Sequence, residues 1–343
     1  MRTISPINVG LVGCGAVAEL YYARAFAVLA QSNVISVGAL IDPDPERRAV
    51  LARFFPTAQP YPRLEDLPPE TVTVAVIASP PRFHAAQAVQ LFNDRCHVLC
   101  EKPLATTVVE AEAMLQAART AQRTLAVGLF RRFFPALRAI GEFCTSRLFG
   151  RLQSFDVREG GPFNWPAATP SFFDRKQAGG GVLLDAGVHV LDLLLWWLGE
   201  PTHVAYADDA QGGLEATCRI ELGYPAESIR GTVLLSRDWK TSNQWLLEFE
   251  RATVLWRVGE ANRLEIRPRG SADWLVSSLE TESIRGRVPA DSYPQAFTRQ
   301  VRDFIESIRI GRPPRVPGEE GLRSLRLIES CYRRRTPLAL ESP

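Results

Sequence analysis

INVGLVGCGAVAELYYARAF, residues 7–26, decides the fold. Ile7 to Val12 reads as a buried strand, and the run after the glycines reads as a helix. Between them, Gly13-Cys14-Gly15-Ala16-Val17-Ala18 fits the pattern G-x-G-x-x-[GA]. The pattern is weak alone, but here it sits between strand and helix near the N-terminus, where its mechanism requires it. Gly13 permits the tight turn, Gly15 lets the backbone approach a pyrophosphate, and Ala18 lets the helix pack close to the strand. The helix start at Ala16 and Val17 turns its positive end toward the phosphates. Gly13, Gly15, Ala16 and Val17 are therefore candidates for holding a dinucleotide; a tight turn with no ligand is the alternative.

Outward from this stretch, strands and helices alternate. VISVGALID (34–42), TVTVAVIASPP (71–81), CHVLCEKP (96–103) and TLAVGLF (124–130) read as strands with helical runs between them. Such alternation predicts a parallel sheet covered on both faces, a doubly wound Rossmann domain spanning residues 1–128. Asp42 closes the second strand, where a carboxylate accepts from a ribose 2'-hydroxyl and repels a 2'-phosphate. That favours NAD, although Arg47 and Arg48 behind it leave NADP possible. Lys102 ends another strand, and ligands of such sheets bind outside the carboxyl ends of the strands. Among 40 basic residues only Lys102, Lys176 and Lys240 are lysine. Codon bias accounts for most of that imbalance, yet lysine remains a compact charge that arginine does not replace.

After residue 128 the character changes. LEATCRIEL (214–222) alternates, with Leu214, Ala216, Cys218, Ile220 and Leu222 on one side and Glu215, Thr217, Arg219 and Glu221 on the other. Segments 229–236, 244–250, 252–258 and 262–268 follow as further strands, and 293–311 and 321–334 return to helix. The prediction for 129–343 is an α+β domain with a large open antiparallel sheet, used for substrate binding and oligomerisation. Leu234, Trp245, Leu247 and Trp256 supply large apolar groups around that sheet, which predicts a homodimer or homotetramer through it.

GGGVLLDAGVHVLD (179–192) places Asp185, His189 and Asp192 in an apolar helix, which is costly unless something needs the charge. Asp185 and His189 are one turn apart, as a general base and its positioner would be; a buried pair serving structure alone is the alternative. The three glycines let backbone come close to something before the helix starts.

The net charge of +2 gives no long-range attraction for nucleic acid or an anionic membrane. With 46% hydrophobic and 23% charged residues, the chain reads as ordinary globular protein. The opening MRTISPINVG runs almost at once into a strand, so no signal peptide is expected, and the six scattered cysteines make no metal pattern. The expectation is a cytoplasmic protein with free thiols and no metal.

GLVGCGAVA, ASPPRFH, CEKPLA, GLFRRFFP and NWPAATPSFFDRKQAGGGVLLDAGVHVLD, in that order, resemble the glucose-fructose oxidoreductase, inositol dehydrogenase and rhizopine-catabolism (Gfo/Idh/MocA) family. The resemblance implies a nicotinamide-dependent dehydrogenase acting on a secondary alcohol or ketone of a sugar, cyclitol or related polyol. It makes Lys102 the lysine of the EKP motif, and Asp185 and His189 the acid–base pair. It places Ser79, Pro80, His84 and Glu101 along the nucleotide site and Arg131 near the nicotinamide. Trp165 is a candidate to stack on a sugar ring, or else core. Phe130 departs from the polar residue that many relatives carry there. The family also holds glycosidases that oxidise transiently with bound NAD, and non-catalytic regulators. These remain the alternatives, although Lys102, Asp185 and His189 together argue against the last.

Overall fold

A computed structural model describes residues 5–166, 173–174, 178–224, 228–279 and 293–339. The chain packs as two compact units. The first takes the described parts of Met1–Phe130, Pro166–Gly179 and Arg285–Leu325; the second takes those of Arg131–Trp165, Gly180–Ile284 and Arg326–Pro343.

The first unit is built on β1 (Ile7–Val12), β2 (Ile35–Ile41), β3 (Gln59–Tyr61), β4 (Val74–Ile77), β5 (His97–Glu101) and β6 (Leu125–Gly128). All pair in parallel in the order β3-β2-β1-β4-β5-β6. The order reverses between β1 and β4, so the loops leaving these strands lie side by side, the usual ligand crevice of such sheets. Both faces are covered, hence the uninterrupted burial of Val74, Ala75, Val76 and Ile77.

The helices start where local chemistry satisfies their first N–H groups. A π turn at Ala18–Tyr22 runs into α1 (Ala23–Gln31), which buries Ala18, Tyr22, Phe26 and Leu29 at helical spacing. At α2 (Pro45–Ala52), Asp44 caps the Glu46 N–H and proline occupies the first position. Next comes α3 (His84–Asn93). At α4 (Val108–Ala121), Thr107 and Glu110 form a reciprocal capping box. From the C-terminal part, α7 (Tyr293–Ile310) buries Phe297, Val301, Phe304 and Ile305. Phe297 meets Tyr21 at 4.8 Å, Phe130 at 4.9 Å and Tyr22 at 5.1 Å between ring centres. Phe130 is thus part of an aromatic cluster, each fully buried ring contributing about 1.5–3 kcal/mol of hydrophobic stabilisation.

The second unit holds α5 (Pro135–Ser146), β7 (Leu152–Gly160), a π turn at Leu183–Gly187, α6 (Val188–Leu198) and strands β8 (His203–Asp208) to β14 (Leu275–Ser278). Between these lie β9 (Thr217–Tyr224), β10 (Ile229–Ser236), β11 (Gln244–Phe249), β12 (Ala252–Arg257) and β13 (Arg263–Pro268). The nine-stranded order is β14-β13-β12-β11-β7-β10-β9-β8-β15, where β15 is Arg335–Pro337, beyond α8 (Gly318–Arg333). Central β7 joins two antiparallel meanders. It pairs antiparallel with β11 but parallel with β10, and β15 pairs parallel with β8. The sheet is therefore mainly antiparallel, as expected, with two parallel pairs. The connection from β7 to β10 runs through α6, β8 and β9, long enough to bring the chain back in the same direction.

Two sequence expectations change here. Trp245, Leu247 and Trp256 are buried at 0–1% exposure, not outward-facing; only Leu234 of the four is half-buried. The other face of the sheet carries charge pairs such as Arg158–Asp156, Arg219–Glu221 and Arg257–Glu265. Along β9, Cys218, Ile220 and Leu222 are buried and Arg219 and Glu221 exposed, as the alternation predicts. Glu215 and Thr217, assigned to the solvent side, are each 1% exposed. Glu215 precedes the strand, so the two-residue period does not govern it, and the Thr217 hydroxyl pairs with Ser236 Oγ at 2.9 Å.

Candidate active site

In the first unit the two glycines of the turn differ in kind. Gly13 has φ +91°, and a Cβ there would lie 2.4 Å from the Ser79 nitrogen. It is needed for the protein's own packing. At Gly15 a Cβ would meet nothing within 4 Å, so this glycine faces open space beside the half-buried Ala16 and Val17. That is room for a pyrophosphate at the start of a helix. Cys14 is packing: burial pushes its thiol up to about 12, and Sγ lies 3.8 Å from the Ile41 carbonyl.

Asp42 is fixed at the crevice by both carboxylate oxygens. Oδ2 accepts the Cys14 N–H at 2.8 Å and Oδ1 accepts the Asp44 N–H at 2.9 Å. The two arginines behind it are engaged, Arg47 with Glu19 at 3.3 Å and Arg48 with the Asp42 carbonyl. Open space at Gly15 and an oriented carboxylate at Asp42 fit a dinucleotide with a free 2'-hydroxyl.

Ser79 and Pro80 are half-buried in the loop after β4, and Ser79 Oγ donates to Gln87 Oε1 at 2.6 Å. His84 is 0% exposed. Its Nε2 lies 2.8 Å from the Ser79 carbonyl and its Nδ1 3.0 Å from the Pro103 carbonyl, so it braces the loops after β4 and β5 from behind. Burial pulls its pKa below the ordinary histidine value, against the pull of those carbonyls.

Lys102, half-buried, follows the last residue of β5. Beneath it is a buried chain that sequence reasoning missed. Glu101 Oε2 accepts the Lys102 main-chain N–H at 3.0 Å, and Oε1 accepts from the Tyr22 hydroxyl at 2.7 Å. Gln300 Nε2 in turn donates to the Tyr22 oxygen at 3.2 Å. Burial raises the Glu101 carboxyl above its usual range, partly offset by these donors. One signal was present: Gln300 is a polar residue on the apolar stripe formed by Phe297, Val301 and Phe304.

In the second unit, Asp185 lies within the π turn Leu183–Gly187 and His189 in the first turn of α6. Such single π turns recur at functional sites. Asp185 is half-buried and His189 is 6% exposed, while α6 is otherwise apolar except for Asp192. Asp192 does not belong with them: it takes a bidentate pair from Arg132, at 2.9 and 2.6 Å, in the core. Arg131 makes a second bidentate pair, with Glu159 at 2.7 and 2.9 Å, and Glu159 also accepts from Trp245 Nε1 at 2.8 Å. Trp165 is half-buried. The glycines before Asp185 approach other protein. A Cβ at Gly180 would lie 2.4 Å from the Tyr332 hydroxyl, and one at Gly181 2.1 Å from the Glu215 carbonyl oxygen.

Comparison with known proteins agrees with both halves. Residues 7–129 match a model described as an oxidoreductase family with NAD-binding Rossmann fold, and residues 137–255 match the GFO/IDH/MocA C-terminal domain. D-Glucoside 3-dehydrogenase of Escherichia coli K12 is 30% identical over 58% of this chain, which spans only 56% of that relative's length. Rhizopine catabolism protein MocA of Rhizobium meliloti is 24% identical over 94% of this chain and 93% of its own. The structure of aldose-aldose oxidoreductase from Caulobacter crescentus shares the fold with TM-score 0.82 and 22% identity, over 96% of this chain and 97% of that one. Among the described residues no helix is long and apolar enough to cross a membrane. With both domain models matched in order, the chain belongs to the GFO/IDH/MocA family of NAD-binding oxidoreductases.

Proposed function

We propose that this chain interconverts a secondary alcohol and a ketone on a sugar, cyclitol or related polyol, using NAD in preference to NADP. The observation that carries the reading is His189, buried to 6% exposure one turn after Asp185 in an apolar helix, in a chain with an NAD-binding Rossmann unit. When bound, nicotinamide accepts or gives up the hydride.

The chain's own residues handle the proton and the charge. His189 removes the hydroxyl proton when the alcohol is oxidised and returns it when the ketone is reduced. Asp185 holds the imidazole and stabilises its charged form. Lys102 donates to the reacting oxygen, where its charge stabilises the developing alkoxide. Trp165 offers a ring to a sugar face, and Asp42 receives the 2'-hydroxyl of the adenosine ribose. Ser79, Pro80, Glu101 and Arg131 complete the cofactor side. The homologous glucoside dehydrogenase supports a polyhydroxylated substrate.

A panel of sugars, glycosides and cyclitols with NAD+, followed by NADH absorbance, tests the reading. Reduction of NAD+ by members of that panel is expected, and His189→Ala lowers turnover by about 10²–10⁴-fold with NADH affinity unchanged. An unimpaired His189→Ala enzyme would show that the proton leaves by another route. We also propose assembly into a homodimer or homotetramer through the outer face of the nine-stranded sheet, where Leu234 sits among the charge pairs. Light scattering at micromolar concentration checks this, and a monomer refutes it.

A further inference from the structure

We infer that Glu215 is the positioning residue for the segment that carries Asp185 and His189. One residue satisfies three successive main-chain donors at the entry to that segment. Its Oε1 accepts the Gly181 N–H at 3.0 Å and the Leu183 N–H at 3.1 Å. Its own main-chain carbonyl accepts the intervening Val182 N–H at 3.0 Å. The first N–H groups of a helix have no partner within the helix, and a buried helix start needs them met from outside. Glu215 is 1% exposed, so no solvent performs the task. From there the Asp185 N–H returns to the Gly181 carbonyl at 3.0 Å, placing Asp185 one turn from the clamp.

The glycines are part of the same device. At Gly181 a Cβ would lie 2.1 Å from the Glu215 carbonyl oxygen and 2.7 Å from its carboxyl carbon, which leaves room only for hydrogen. At Gly180 it would strike the Tyr332 hydroxyl. That hydroxyl donates to Glu215 Oε1 at 2.7 Å. Arg335 stands 3.7 Å from Glu215 Oε2 and 2.6 Å from Asp208. On the chain side, Asp209 accepts the N–H groups of Ala216 and Thr217 at 2.9 and 3.0 Å, which pins the loop that presents Glu215. The carboxylate is thus held from its own loop and from the C-terminal tail, and it sets the start of the π turn within hydrogen-bond tolerance.

This role rests on the acid–base reading of Asp185 and His189, and its test is separable from that reading. The chain has four histidines, so nitrogen-15 labelling of histidine gives few ring signals, and His189 is assigned by loss of its signal in His189→Gln. In the full chain with NAD+ bound, Glu215→Ala is expected to displace the His189 ring signals while those of His84 and His97 stay in place. Glu215→Gln keeps a carbonyl oxygen for the Gly181 and Leu183 donors, and its His189 signals stay near the wild-type position. With a substrate from the panel, Glu215→Ala loses about tenfold or more in kcat with NADH affinity within twofold, and Glu215→Gln recovers most of the loss. If Glu215→Ala does not fold, Tyr332→Phe carries the test and displaces the same signals less. Unmoved His189 signals in the folded variant, or Gln as damaging as Ala, would overturn the inference. Full turnover in His189→Ala with displaced signals in Glu215→Ala would instead sink the acid–base reading and leave the positioning intact.

Discussion

The Tyr22 hydroxyl donates to Glu101 Oε1 at 2.7 Å, tying the first helix turn after the glycine loop to the residue before Lys102. Both groups are buried, and Gln300 of α7 donates to the same hydroxyl. The main chain of Lys102 is bonded to the other oxygen of Glu101, so the placement of the lysine depends on a residue 80 positions earlier in the chain. Tyr22→Phe removes a donor from a buried carboxylate and is expected to cost about 1–3 kcal/mol in denaturant unfolding. Gln300→Leu weakens the chain from its other end and costs less. A Tyr22→Phe protein as stable as wild type would show that the hydroxyl is dispensable.

The glycine turn predicts opposite outcomes for two similar substitutions. Gly13→Ala forces a Cβ into Ser79 at φ +91° and is expected to destabilise by more than about 1 kcal/mol. Gly15→Ala meets no protein atom and leaves stability within about 0.5 kcal/mol. It fills the open space instead, and NADH affinity by fluorescence titration falls about tenfold or more, a loss of about 1.4 kcal/mol. Equal NADH affinity in Gly15→Ala and wild type would place the pyrophosphate elsewhere.

Asp192 and Arg132 are 1% and 3% exposed and form a bidentate pair. Asp192→Ala leaves the guanidinium buried without its counter-charge and is expected to cost about 3–5 kcal/mol. Replacing Arg132 and Asp192 together by apolar residues costs less than either single change, which a double-mutant cycle in urea measures. Additive single losses would contradict the pairing.

His97 makes stability pH-dependent. Burial and the nearby Arg123 charge lower its pKa to about 4, and its Nδ1 accepts the Thr124 N–H at 3.1 Å, which requires a neutral ring. Between the unfolded value of 6.5 and the folded value of about 4, the unfolded chain binds more protons. Stability is therefore full above pH ~6.5 and is lost as pH falls toward ~4, with His84 adding a loss of the same sign. His97→Gln flattens this part of the profile, measured by urea midpoints across pH. An unchanged slope would remove His97 as its source.

The Rossmann unit was legible because its signals are local. A buried strand, a glycine turn and a helix are set by steric freedom and apolar spacing within some twenty residues of Ile7, and the same alternation repeats to β6. Asp185 and His189 drew attention for a related reason: charge in an apolar helix stands out against its neighbours.

Long-range pairing decided the rest. Asp192 looked like a companion of His189, but Arg132, 60 residues away, neutralises it in the core. Glu215 fitted the polar side of an alternating strand, yet the strand starts two residues later and the carboxylate turns in to meet Gly181 and Leu183. Trp245 and Trp256 read equally well on either face of their strands, because a period of two does not say which face meets the helices. Tyr22, Glu101 and Gln300 became one chain only when α7 returned to the first unit. A period or a turn is fixed by neighbours in sequence, whereas the partner of a buried charge or hydroxyl is fixed by whichever distant element folding brings within about 3 Å of it.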